Sequence, residues 1–260
     1  MFNYCFDITN VSLFYKFNKI LKDISFSIPK GKFTAIIGPN GSGKSTLLSC
    51  LTGELAPDKG EVYFDKQNIR DIYSKERAVR MAIVHQENTG VNGFTVREIV
   101  LMGRTPYRKF GYQDLEKDEI IVSKAIEMLG LKSFENNKIE ELSGGQQQRV
   151  WLALAIAQDT EIILLDEPMN NLDIYYQLEM LNLFKEMVKK KNMTIVAILH
   201  DLNQVLQFAD YVVVLKEGNI LKTGNPLEVL TPNLVKNLFL VNSQIISGRN
   251  NPVLDFYLGG

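Results

Sequence analysis

The nine residues Gly38, Pro39, Asn40, Gly41, Ser42, Gly43, Lys44, Ser45 and Thr46 constrain this chain more than any other stretch, because they fit the pattern G-x-x-x-x-G-K-[ST]. Phe33–Ile37 before them is a short apolar run of the kind that makes a buried strand. Leu47, Leu48 and Leu51 after them recur at helical spacing as far as Gly53. A glycine-rich turn between a strand and a helix lets backbone N–H groups close around phosphates, and the helix N-terminus adds a favourable dipole. In that arrangement Lys44 reaches the β- and γ-phosphates, Ser45 offers its hydroxyl to Mg2+ and Thr46 is a further phosphate donor. The pattern predicts a nucleoside triphosphate site along residues 38–46.

Composition narrows the classes of partner. With 260 residues, 45% of them apolar and 23% charged, the chain can bury a substantial core. A net charge of −1 gives no electrostatic reason to expect nucleic acid as a partner. The densest basic run, Lys189 to Lys191, ends an expected helix, where positive charge complements the dipole, so it reads as a solvated terminus. Cys5 and Cys50 are too few and too far apart for a disulfide framework or a metal site, which favours a reducing compartment. Val150–Ala157, the longest wholly apolar run found, is far short of the ~20 residues of a membrane-spanning helix. The first seven residues lack the pattern of a secretory signal, and the expectation is a cytosolic chain.

Along the chain, Phe6–Leu13 and Ile20–Ile28 read as an antiparallel hairpin, with Tyr15 in the connection, and residues 61–65 as another strand. Met81–Val84 reads as a core strand that runs into His85 and Gln86. Residues 88–159 turn helical and polar-rich, with helices over 95–102, 115–129 and 144–158, and read as a helical lobe inserted into the core. Strands over 161–165 and 194–199 then alternate with a helix from Ile174 to Val188, whose apolar face is expected to carry Ile174, Leu178, Leu181 and Val188. A hairpin over 212–223 and short helices over 226–240 follow. The fold class expected is α/β, with a mainly parallel sheet, an N-terminal antiparallel β subdomain and the helical lobe. The last twenty residues carry no readable pattern.

The strand over 161–165 delivers Asp166 and Glu167 at its carboxyl end, the edge where open α/β sheets bind ligands. Asp166 is placed to hold Mg2+, and Glu167 to orient or deprotonate the attacking water. Gln86, at the junction of a strand and the helical lobe, suits a residue that touches both Mg2+ and the moving lobe. The string from Leu142 to Arg149, with Ser143, Gly144, Gly145 and Gln146 at its start, sets two glycines at a helix N-terminus and can grip a second phosphate. A lobe that cannot fold onto its own chain's nucleotide would cap the one held by the Gly38 loop of a second copy. That predicts a head-to-tail homodimer.

These motifs, Gly38–Thr46, Gln86, Leu142–Arg149, Ile162–Pro168 and His200 in this order, resemble the nucleotide-binding subunit of an ATP-binding cassette (ABC) transporter. The resemblance covers about residues 6 to 240 and implies a P-loop NTPase (RecA-like) core. It also implies Tyr15 as an adenine-stacking ring, Gln86 as a switch, and His200 beside the γ-phosphate. Asp173 falls in the loop that links two active sites. The cofactors implied are ATP and Mg2+. The partners are permease subunits in the membrane and, indirectly, an extracytoplasmic binding protein, which places the chain on the cytoplasmic face of the cell membrane. Where the family commonly has Ser-Ala-Leu-Asp, this chain reads Asn170, Asn171, Leu172, Asp173.

Finer strings, residues 95–100, 103–106, 157–158, 172–174, 200–203 and 224–231, are similar to importers of iron-siderophore complexes, haem and cobalamin, and are expected to report on the type of permease. The rivals are a transporter for Zn2+ or Mn2+, an exporter, and a soluble ABC ATPase of translation or DNA repair. Such a soluble ATPase usually carries two cassettes or a long coiled-coil insertion, and neither is read here.

Overall fold

The computed structural model describes residues 3–86, 91–108, 114–248 and 251–258. The chain divides into two compact units, residues 1–72 with 181–260 and residues 73–180. The first opens with β1 (Tyr4–Tyr15) and β2 (Asn18–Pro29), then β3 (Phe33–Ile37), α1 (Lys44–Thr52), β4 (Lys59–Phe64) and β5 (Gln67–Asn68). The second holds α2 (Ser74–Arg80), β6 (Met81–Val84), α3 (Val96–Met102), α4 (Leu115–Met128), α5 (Gly144–Ala157) and β7 (Ile162–Leu165). The long helix α6 (Ile174–Lys191) leads back to the first unit. There follow β8 (Thr194–Ile198), α7 (Leu202–Phe208), β9 (Tyr211–Lys216), β10 (Asn219–Gly224), α8 (Pro226–Val229), α9 (Pro232–Phe239), β11 (Asn242–Ser247) and β12 (Pro252–Tyr257).

The N-terminal strands form an antiparallel sheet in the order β2-β1-β4-β5. Phe6 and Ile8 point into its core, and so do Val11 and Leu13, which are out of phase with them by one residue. The phase resets at a bulge, where Asn10 takes a left-handed φ of 51° and the register with β2 shifts between Ile8 and Val11. The hairpin runs further than its apolar residues indicated. Tyr15 pairs with Asn18, so it ends β1 instead of lying in the connection.

In the same unit β3 pairs in parallel with β8 on one side and β9 on the other, and β10 closes onto β9 antiparallel. In the second unit β6 and β7 are parallel, with Val84 opposite Leu165. The α/β class with mainly parallel pairing and an antiparallel N-terminal sheet is therefore as expected. Every residue of β3, β7 and β8 is buried, the mark of strands covered on both faces.

The face of α6 differs from the sequence reading. Met180, Leu181, Phe184 and Met187 are buried, whereas Ile174 and Leu178 are 77% and 41% exposed. Phe33 on β3 selects this face, since its ring meets Phe184 edge-on at 6.1 Å and 86°. Burying a ring of that size stabilises by roughly 1.5–3 kcal/mol. Both cysteines are core residues. Burial pushes the Cys5 thiol up to about 12 and the Cys50 thiol up to about 11, so both stay neutral and unreactive.

In the second unit α3, α4 and α5 pack on one another, and Val96, Ile99 and Val100, Val122 and Ile126, and Val150 and Ala153 are among their buried core residues. Several of the finer strings prove to be internal fastenings. Arg104 is 3% exposed and bonds Asp118 at 2.7 Å and the Ala157 carbonyl at 2.9 Å. Gln158 donates to the Met81 carbonyl at 3.0 Å, and Thr95 and Glu98 form a capping box on α3. These residues hold the unit together from within.

The last segment, unreadable in sequence, is the hairpin β11-β12. Leu254 and Ser243 are its buried residues, too few for an apolar alternation to stand out. It is tied to α7 by Asn203, which accepts from the Leu254 N–H at 2.7 Å and donates to its carbonyl at 3.1 Å. Asn203→Ala is expected to weaken that attachment by about 1–3 kcal/mol. Hydrogen exchange would read this as about tenfold or more faster exchange at Leu254 and its neighbours, with β3 and β8 unchanged.

Candidate nucleotide site

β3 delivers the chain into the glycine loop at its carboxyl end. Gly38 lies against β9, where a Cβ would fall 2.0 Å from the Leu215 carbonyl oxygen, so no side chain fits. Gly43, at φ 100°, is the N-cap of α1 and supplies no side-chain cap, so the positive end of the helix dipole faces the glycine loop without a competing side-chain oxygen from that residue. Lys44 is 6% exposed, and its ammonium spans the loop to the carbonyls of Gly38 and Pro39 at 3.0 and 3.1 Å. Ser42 Oγ is buried without a hydrogen-bond partner. Gly41 and Asn40 are exposed, as is Ser45 at the start of α1, and Thr46 is half-buried. An uncapped helix start, a caged ammonium and an orphaned hydroxyl fit a polyphosphate.

His200 follows β8, exposed, and Asp201 beside it caps α7 through the N–H groups of Asn203 and Gln204. A small cavity of about 180 Å³ lies between His200 and Phe239, Val241 and Phe256, so the C-terminal hairpin reaches the neighbourhood of this histidine. Tyr15 stands at the end of β1 and is 66% exposed.

In the second unit the parallel register explains a meeting that sequence alone kept apart. Val84 lies opposite Leu165, and the Asp166 N–H donates to the Val84 carbonyl at 2.9 Å. Two residues beyond each of those strand ends, Gln86 and Glu167 come side by side, and Gln86 Nε2 donates to Glu167 Oε2 at 3.0 Å. Asn170 Nδ2 donates to the same oxygen at 2.7 Å. Asp166 is 9% exposed. Glu167 itself takes φ 50°, a left-handed conformation uncommon for a side chain of its kind. In the sequence Asn170 stood out as a departure from the family string and carried no assigned role.

Ser143 is the N-cap of α5, and with Gln146 it forms a capping box in which each side chain accepts from the other's backbone N–H. Gly144 and Gly145 form the first turn. A Cβ on Gly145 would come 2.8 Å from the Asn171 carbonyl oxygen, so the loop 171–173 packs directly on the helix start. Between them opens a cavity of about 610 Å³, walled by Ser143–Gln146 on one side and by Asn171, Leu172 and Asp173 on the other. Arg149 and Tyr176 line it too. They were not singled out as site residues, and the signal for them is spatial: the buried Arg149 guanidinium lies 4.1 Å from the Tyr176 ring centroid, with Nε unpartnered.

A glycine-rich loop of the phosphate-binding pattern between a buried strand and a helix, and a carboxylate pair ending a buried parallel strand, define a P-loop nucleoside triphosphatase. The family model described as ABC transporter matches residues 21–170. The iron(3+)-hydroxamate import ATP-binding protein FhuC of Bacillus subtilis is 41% identical over 237 residues, covering 90% of this chain and 88% of that protein. The ferric enterobactin transport ATP-binding protein FepC of Escherichia coli is 40% identical over 87% of this chain and 84% of its own length. A dimeric post-hydrolysis structure of the ATP-binding cassette MJ0796, bound to ADP and Pi, superposes with a TM-score of 0.78 at 31% identity. It covers 85% of this chain and 98% of that one. The chain belongs to the ABC transporter family and is an ATPase of that family. Among the described residues no helix is long and apolar enough to cross a membrane.

Proposed function

We propose that this chain is the ATP-hydrolysing subunit of an importer whose cargo is a ferric siderophore, with haem and cobalamin as the alternatives of the same branch. It works as a head-to-tail homodimer on the cytoplasmic face of the membrane, beneath a separate permease that an extracytoplasmic binding protein supplies. Residues 1–260 act as one ATPase domain, with about 88–159 as an inserted lobe and about 241–260 as a tail.

In this reading Tyr15 stacks on adenine, and residues 38–46 with Lys44 hold the phosphates. Ser45, Asp166 and Gln86 are the residues that would hold Mg2+, which when bound neutralises charge on the β- and γ-phosphates. Glu167 takes a proton from the attacking water, and His200 donates to the γ-phosphate. Ser143, Gly144, Gly145 and Gln146 of one copy close over the nucleotide of the other, and Asp173 links the two sites. Loss of the γ-phosphate removes those closing contacts, so the dimer reopens and the permease resets.

The observation that carries the reading is the open cavity of about 610 Å³ between the Ser143–Gln146 helix start and Asp173, which suits a phosphate chain brought by another copy. The kinship with FhuC and FepC carries the cargo class. The test is uptake of labelled ferric hydroxamate, ferric enterobactin, haem and cobalamin by vesicles that contain this chain and the permease that co-purifies with it. ATP-dependent accumulation of a ferric siderophore is expected, and Ser143→Arg should abolish it by blocking closure. Uptake of Zn2+ or Mn2+ alone, or export, would overturn the cargo. A Ser143→Arg chain that still traps ATP between two subunits would overturn the shared site.

A further inference from the structure

We propose that Asn170 is a positioning residue for ATP hydrolysis, holding the Glu167 carboxylate in one orientation through its side-chain amide. The inference rests on the reading of Glu167 as the group that takes the proton from water, and deepens it.

Two amides converge on one carboxylate oxygen, Glu167 Oε2: Asn170 Nδ2 at 2.7 Å and Gln86 Nε2 at 3.0 Å. They differ in kind. Gln86 follows β6 on an exposed segment, whereas Asn170 is held on a short turn whose N–H returns to the Glu167 carbonyl at 3.2 Å. The loop that carries Asn170 is fastened to α6, because Gln177 Nε2 donates to the Leu172 carbonyl at 2.9 Å and to the Met169 carbonyl at 3.3 Å. The donor at 170 is thus built into the backbone next to the carboxylate, and the donor at 86 arrives from another strand. When Gln86 turns away, Asn170 keeps Oε2 engaged and the carboxylate in place.

The residue type matters. A serine in this place would be shorter and would carry a hydroxyl that donates or accepts. An asparagine amide nitrogen only donates, and it reaches one bond further. Asn170 also stands three residues from Glu167 and three from Asp173, so a shift of the loop toward or away from a second copy moves this donor with it. Placement of a catalytic group governs rate steeply, since a displacement of about 1 Å costs on the order of 100-fold.

The experiment measures steady-state ATP hydrolysis by the full chain with Asn170→Ala, Asn170→Asp and Glu167→Gln, and by the double variant Asn170→Ala with Glu167→Gln. Asn170→Ala is expected to lower kcat about 10- to 100-fold with KM for ATP within about twofold. Asn170→Asp keeps the volume but sets a carboxylate against Glu167, and is expected to lose more than Asn170→Ala. A packing role predicts the reverse order. In the Glu167→Gln background, Asn170→Ala should have little further effect, because both act on one step.

Wild-type kcat in Asn170→Asp, or additive losses in the double variant, would overturn the proposal while leaving Glu167 as the base. Normal turnover by Glu167→Gln would instead overturn the reading of the base, and this inference with it. Should Asn170→Ala fail to fold, Asn170→Asp, matched in size, decides by the same kcat.

Discussion

Replacing Lys44 with alanine is expected to abolish measurable ATP turnover, with a loss of at least 10²- to 10³-fold. The ammonium lies buried inside the glycine loop and holds the carbonyls of Gly38 and Pro39. It is the first residue of α1, so its charge lies beside any phosphate chain that the glycine loop holds. Alanine removes both the counter-charge and the bridge across the loop. The second loss leaves a carbonyl of buried Gly38 without its partner, at a stability cost of about 1–3 kcal/mol. Thermal unfolding of the variant therefore has to be measured alongside its ATPase rate. A folded Lys44→Ala chain with full activity would remove the role assigned to this loop.

Glu167→Gln should have a different signature, retained ATP binding with hydrolysis slowed about 10²- to 10⁴-fold. Glutamine keeps the shape of the side chain, and its carbonyl oxygen still accepts from the amides of Gln86 and Asn170, which now bond Glu167 Oε2. What it cannot do is take a proton from water. Equilibrium nucleotide binding and phosphate release measured on the same sample separate the two effects. In the presence of ATP and Mg2+ the variant is expected to sediment as a dimer, since the closing contacts form and are not undone. Normal phosphate release would show that another residue handles the water.

The parts of the site that were legible in the sequence are those whose chemistry is contiguous. Residues 38–46 carry their own turn, their cation and their helix start within nine positions, so composition and order were enough. The Ser143–Gln146 string was readable for the same reason, because a cap and two glycines announce a helix N-terminus whatever surrounds it. Asp166 and Glu167 could be placed at a sheet edge because an apolar run such as Ile162–Leu165 makes a buried strand and a strand has a carboxyl end.

Where apolar residues were too many or too few, the reading failed. α6 offers apolar side chains around much of its circumference, and the packing of Phe184 on Phe33 chose the face. The hairpin at 242–257 buries so little of itself that no alternation betrays it, and Asn203, 51 residues before Leu254, supplies the attachment.

By itself the sequence determined that this chain is of a class that binds a nucleoside triphosphate, because a glycine loop followed by lysine and two hydroxyls makes a phosphate cradle from local backbone geometry alone. Only the tertiary structure decided that Gln86 and Asn170 would meet on one oxygen of Glu167. Gln86 lies 81 residues from Glu167, and the pair forms because β6 and β7 run parallel with Val84 beside Leu165. Hydrogen bonds between strands set that register. No propensity of either segment contains it.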